Sequence, residues 1–187
     1  GGFGMLYTSA EMEERAALSA AAAMCTAART APKAHGKDTI RTLVLTGEDK
    51  EKLACRMEEV GQRLMGGKSP TWYGRDAANV RASQAVVLIG AELRPRGVPN
   101  CGSCGFEDCA ACTAAGGRCA FTFVDLGIAV ASAAETAAER KCDNRIMYSI
   151  GRAAPELEGV DGSCFWLGIP VFIGGKSVFF DRGVFHD

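Results

Sequence analysis

The stretch "CGSCGFEDCAACTAAGGRC", residues 101–119, holds five of the nine cysteines in the chain: Cys101, Cys104, Cys109, Cys112 and Cys119. Thiolates are soft ligands, so a run this dense points to metal or redox chemistry, or to cross-links. Three chemistries compete. Disulfides between cysteines three apart close only small, strained loops. A structural zinc site takes two Cys-x2-Cys knuckles, usually a dozen or more residues apart, whereas only four residues separate Cys104 from Cys109. A [4Fe–4S] cluster is larger, and a compact loop can wrap it from one side with three local thiolates and a fourth from farther along. Gly102 and Gly105 would let backbone N–H groups approach such a cluster. A short helix begun by Glu107 and Asp108 would set Cys109 and Cys112 on one face. Cys101, Cys104 and Cys109 are thus the core of the expected metal site. Cys112 and Cys119 compete for the last place, with Cys142 behind them. The isolated Cys25, Cys55 and Cys164 read as small packing residues.

A second set of chemistry-bearing residues is cationic. Arg29, Lys33, His35 and Lys37 concentrate positive charge around the loop "KAHGKDT", 33–39, which makes them a candidate binding site for an anionic cofactor or a substrate. "GKS" at 175–177 is not the end of a phosphate-binding loop. Pro170 stands where the first glycine is required, and a strand rather than a helix is expected there.

The chain as a whole limits what these residues serve. Its 187 residues suffice for one domain with a real core, and a net charge of −1 provides no field for nucleic acid or an anionic membrane. No apolar run reads as a membrane span. The first residues lack the basic and apolar regions of a secretion leader, so the expected compartment is the reducing cytoplasm, which disfavours disulfides. An electron-transfer protein or a small molecule is the expected partner.

Alternating elements must position the two sites. Residues 9–31 read as an Ala-rich helix capped by Ser9, 40–46 as a strand, 48–65 as an amphipathic helix with Leu53, Met57, Val60 and Leu64 on one stripe, and 75–82 as a short helix. Residues 84–92 read as a buried central strand, and 122–141 as a second Ala-rich helix capped by Thr122 with Asp125 in its first turn. Strands are expected at 144–151 and, around Gly174 and Gly175, as a pair within 165–180. Gly127, inside the second Ala-rich helix, suggests close approach by another backbone or a cofactor. The pattern implies a layered α+β domain over 5–187, with the cysteine-rich loop, 98–120, inserted between the buried strand and the Ala-rich helix.

Two family resemblances rest on these segments. "CGSCGFEDC" resembles the CxxCGxxxC loop of four-iron ferredoxin-like domains. The whole chain resembles the ferredoxin domain-containing family of the DUF2148 type, which implies a small cytoplasmic iron–sulfur protein. Separately, "AARTAPKAHGKDTIRTLVLTGEDKEKLA", 27–54, and "VDLGIAVASAAETAAERKCDNRIMYSIG", 124–151, are similar to nitroreductase-like flavoproteins. That likeness implies a three-layer fold with a central, mainly antiparallel sheet, a homodimer, and a place for FMN near residues 29–37. The chain departs from that pattern in two respects. No "RSxR" segment precedes residue 15, and Lys33, His35 and Gly36 stand where Ser and Asn normally face the flavin. The expected function is therefore electron transfer, or reduction of a small substrate, through a [4Fe–4S] cluster. A structural zinc domain of an interaction protein and an FMN-dependent reductase are the alternatives.

Overall fold

The computed structural model describes residues 6–66 and 72–180. Strands β1 (Ile40–Leu45), β2 (Ala85–Glu92), β3 (Asp143–Asn144) and β4 (Cys164–Phe172) form one sheet of order β1-β2-β4-β3, antiparallel throughout. β2 is buried at every position from Ala85 to Ala91 because both sheet faces are covered. Its side chains alternate accordingly. Ala85, Val87, Ile89 and Ala91 enter one core, and Val86 and Leu88 the other.

Helices α1 (Ser9–Thr30) and α5 (Ala120–Glu139) build the first core. α1 buries Ala17, Ala20, Ala21, Met24 and Ala28, and α5 buries Leu126, Ala129, Val130, Ala133 and Ala137. Alanine at these positions lets the two helices lie close together on the sheet. The cap of α1 is Thr8 rather than the expected Ser9. Thr8 has Glu11 three residues on and forms the reciprocal box, its N–H donating to Glu11 Oε2 at 2.7 Å. Contrary to expectation, one apolar run, α5, is long and apolar enough to reach across a bilayer. It lies instead against α1 and β2 as a core helix.

The opposite face is covered by α2 (Gly47–Leu64), α3 (Trp72–Ala82) and α6 (Tyr148–Ala153), giving three layers with the sheet in the middle. α2 buries Leu53, Met57 and Val60 of its expected stripe, whereas Leu64, the last residue of the helix, is exposed.

Two sequence expectations fail here. The strand expected at 144–151 is only the two-residue β3; Met147 makes one bridge to Gly168, and the chain then turns into α6. The pair of strands expected at 165–180 is the single strand β4, and residues 178–180 form a turn. In both cases a short apolar run carries too little periodicity to distinguish strand from helix or turn.

Gly127 also differs from expectation. A Cβ there would meet nothing within 4 Å, so the approach that the glycine permits is not made among the described residues. It lies on the outward side of α5 with Phe123, Val124 and Ile128, which are 42%, 48% and 40% exposed.

Candidate metal centre

The chain between β2 and α5 is held at its start by one residue. Arg96 is fully buried, and its Nε donates to Asp125 Oδ2 on α5 at 2.8 Å. Its Nη1 donates to the carbonyl of Arg94 at 2.6 Å and more distantly to that of Glu92, while Nη2 is buried without a partner. Asp125, expected as a helix cap, has its other oxygen accept the Ala34 N–H at 2.9 Å. Cys119, not Thr122, is the N-cap of α5, and no side chain caps that helix end.

The cationic turn packs onto this anchor. His35 adopts a left-handed backbone, φ 56°, and its Nδ1 lies 3.1 Å from the Arg96 carbonyl oxygen. Gly97 is also left-handed at φ 69°, a backbone that strains any residue with a Cβ, and it lies beside Lys37 Nζ. The two sets of residues singled out in the sequence therefore meet in one region. Their cations are not all turned to a ligand, however. Arg29 Nη2 pairs with Asp38 at 2.5 Å, and Lys33 Nζ donates to the carbonyls of Arg29 and Ala31.

Beyond Gly97 the chain winds through left-handed positions at Asn100, Gly102 and Gly105. This path makes a cleft of about 220 Å³ whose wall includes Cys101, Cys104 and Cys109. The Gly105 N–H donates to the Gly102 carbonyl at 2.9 Å, fixing the turn between the first two thiols. Helix α4 (Cys109–Ala114) begins at Asp108, whose Oδ1 accepts the Ala111 N–H at 2.7 Å. The helix sets Cys109 and Cys112 one turn apart, as the sequence predicts. Cys109 opens to the cleft, whereas Cys112 is 1% exposed and packed below it. A Cβ on Gly117 would lie 3.0 Å from Cys112 Sγ and 2.6 Å from the Phe106 ring, so this glycine closes the loop over the buried sulfur.

Burial pushes the Cys112 thiol pKa up, and its hydrogen bond with Cys104 and the sulfurs of Cys104, Cys119 and Cys109 push it further. Cys104, Cys109 and Cys119 thus lie within electrostatic reach of Cys112, and Cys101 shares the cleft with Cys104 and Cys109. Among the described residues no three Cys, His, Asp or Glu side chains converge in metal-binding geometry. The donor set nonetheless has the chemistry that an iron–sulfur cluster takes: half-buried thiols on a loop of left-handed residues, beside the N-terminus of α5. The remaining cysteines are packing residues or exposed. Burial raises the pKa of Cys25 and Cys142 and takes that of Cys164 to about 11, and Cys55 lies on the surface of α2.

Comparison with known proteins places the chain. An uncharacterized protein of Archaeoglobus fulgidus is 42% identical over 187 residues, covering 95% of this chain and 98% of its own. The family model described as an uncharacterized protein containing a ferredoxin domain (DUF2148) matches residues 115–182. The chain belongs to this family. The matched segment of DUF2148 includes α5, β3, α6 and β4, and of the five clustered cysteines it contains Cys119.

The fold is nitroreductase-like. A nitroreductase with bound FMN from Desulfitobacterium hafniense superposes with a TM-score of 0.55 at 14% identity, covering 92% of this chain and 81% of that one. A BluB-like flavoprotein from Clostridium difficile gives a TM-score of 0.56 at 15% identity, with 85% and 81% covered. Nitroreductase A of Vibrio parahaemolyticus gives 0.54 at 10% identity, and this DUF2148 chain spans 59% of its length.

Proposed function

We propose that this chain is a redox protein that carries one [4Fe–4S] cluster and exchanges electrons with a partner protein or a small molecule. The observation that carries the reading is the cleft walled by Cys101, Cys104 and Cys109 on a loop of left-handed residues. The family's ferredoxin-domain description agrees with it. Cys119 is the fourth ligand in this reading. It is half-exposed at the start of α5, where the helix dipole favours negative charge, whereas Cys112 is sealed under Phe106 and Gly117. A bound cluster supplies one-electron transfer. The chain's own part is to hold the loop at Arg96 and Asp125, and to bend the backbone around the sulfurs through the left-handed Gly102 and Gly105.

Oxygen-free reconstitution with iron and sulfide should give a brown protein with about four irons per chain. C101S, C104S, C109S and C119S should each lose most of that iron, and C112A should keep it. A colourless chain holding one zinc would overturn the cluster, and a yellow one releasing flavin would favour the FMN reading. That second reading rests on the flavoprotein neighbours, one of them with bound FMN. Against it, Arg29 and Lys33 are already committed to Asp38 and to carbonyls.

We also propose that two copies pair through the outer face of α5. Phe123, Val124 and Ile128 are exposed around Gly127, which admits a close neighbour and has none among the described residues. Sedimentation should give twice the chain mass, and Gly127→Trp should convert it to a monomer; a monomeric parent chain would refute the pairing.

A further inference from the structure

Between α6 and the start of β4, a groove of about 350 Å³ reaches Arg118 at the end of the cysteine loop. Its walls include Arg118, Tyr148, Arg152, Phe165 and Trp166. The volume lies in the range of small-molecule sites. The aromatic wall is built rather than incidental. Phe165 packs edge-on against Phe123 with ring centroids 5.2 Å apart, and Tyr148 lies against its other side at 6.5 Å. Trp166 lies beneath them, buried, with its Nε1–H donating to the Asp161 carbonyl at 2.7 Å, and so backs the wall without offering an open face.

The two arginines give this aromatic wall a charge. Arg152 is held by Tyr73. Arg118 is exposed and, among the described residues, has no ion-pair or hydrogen-bond partner. The acid at the groove, Glu156, is turned away to Arg63 and Arg56 on α2. The groove is therefore of mixed character, part aromatic and part polar, and carries a net positive charge. Arg118 also immediately precedes Cys119, so anything it holds lies one residue from the proposed cluster ligand.

We infer that this groove binds a small planar organic carboxylate, with the carboxylate on Arg118 and Arg152 and the conjugated body on Tyr148 and Phe165. A guanidinium pairs with a carboxylate through two parallel hydrogen bonds, and aromatic faces take the planar remainder. The inference deepens the redox reading by naming the class of molecule that would meet the cluster, and rests on that reading only for electron exchange with the bound molecule. Binding itself is read on the chain with or without iron.

Calorimetric titration of the 187-residue chain with cinnamate should show saturable binding with a Kd of about 1 mM or tighter. Cinnamamide, of the same shape but neutral, should give no saturable heat. R118Q and R152Q should each weaken cinnamate about tenfold. R118Q removes an exposed, unpartnered side chain, so it tests the groove without threatening the fold. Equal binding of acid and amide, or an unchanged affinity in R118Q, would overturn the groove. Loss of iron uptake in the parent chain would instead count against the cluster and leave this titration valid.

Discussion

Asp125→Ala is expected to destabilise the chain by about 3–5 kcal/mol, the penalty for stripping one partner from a buried ion pair. Arg96 is fully buried and Asp125 is 1% exposed, so neither charge can turn to water when the other is removed. The guanidinium already has one buried nitrogen without a partner, which leaves it nothing to fall back on. The substitution also orphans the Ala34 N–H, which donates to the same carboxylate. For a chain of this size the melting temperature should fall by about 6–20 °C. The double variant R96M/D125L separates charge from shape. An apolar pair of similar volume removes both charges at once, and it should be markedly more stable than Asp125→Ala alone. A double variant as unstable as the single one would show that the pair acts through geometry rather than through burial of charge. Thermal denaturation of the three proteins decides this.

Gly151→Ala should cost at least about 3 kcal/mol, because no flexible group stands in the way of the new methyl. A Cβ there would lie 1.8 Å from the Trp166 carbonyl oxygen and 2.5 Å from its carbon. Both belong to the backbone of β4, which pairs with β2 across its length and cannot yield without breaking that ladder. Alanine is the better helix former by about 1 kcal/mol, but a clash of this depth exceeds that gain. Gly162→Ala, which meets nothing within 4 Å, serves as the control and should be close to neutral. The denaturation midpoints of the two variants in urea should differ widely. A Gly151→Ala midpoint equal to that of Gly162→Ala would mean that α6 does not rest on β4 as described.

The contrast between these two positions shows what the sequence can reveal. The alanine runs of α1 and α5, the uninterrupted apolar run of β2 and the stripe on α2 are periodic, and periodicity is written along the chain. Asp108 beginning a helix that puts Cys109 and Cys112 on one face is likewise local chemistry, and it is legible. Arg96 and Asp125 are 29 residues apart, and no local pattern couples an arginine between a proline and a glycine to an acid in a later helix. The signal available is that acid itself, the single charge in the first fifteen residues of α5. The burial of Cys112 is hidden for a similar reason. Spacing makes five cysteines look equivalent, and only packing by Phe106 and Gly117 sets one of them apart. Where short apolar segments read as strands, at 144–151 and after Gly174, tertiary contacts rather than propensity set the outcome.

Both ends of the cysteine insertion are tethered to the same end of α5, Arg96 through Asp125 and Cys119 as the N-cap. The intervening residues, 97–118, therefore form a closed loop whose end-to-end distance is fixed by the helix rather than by the loop itself. Closing a chain costs entropy that grows only with the logarithm of its length, so doubling such a loop adds about 0.6 kcal/mol. The insertion can thus lengthen, shorten or exchange its contents at little expense to the sheet beneath it. A three-layer scaffold that grips a loop this way is a socket, and the chemistry of the protein lies in what is plugged into it.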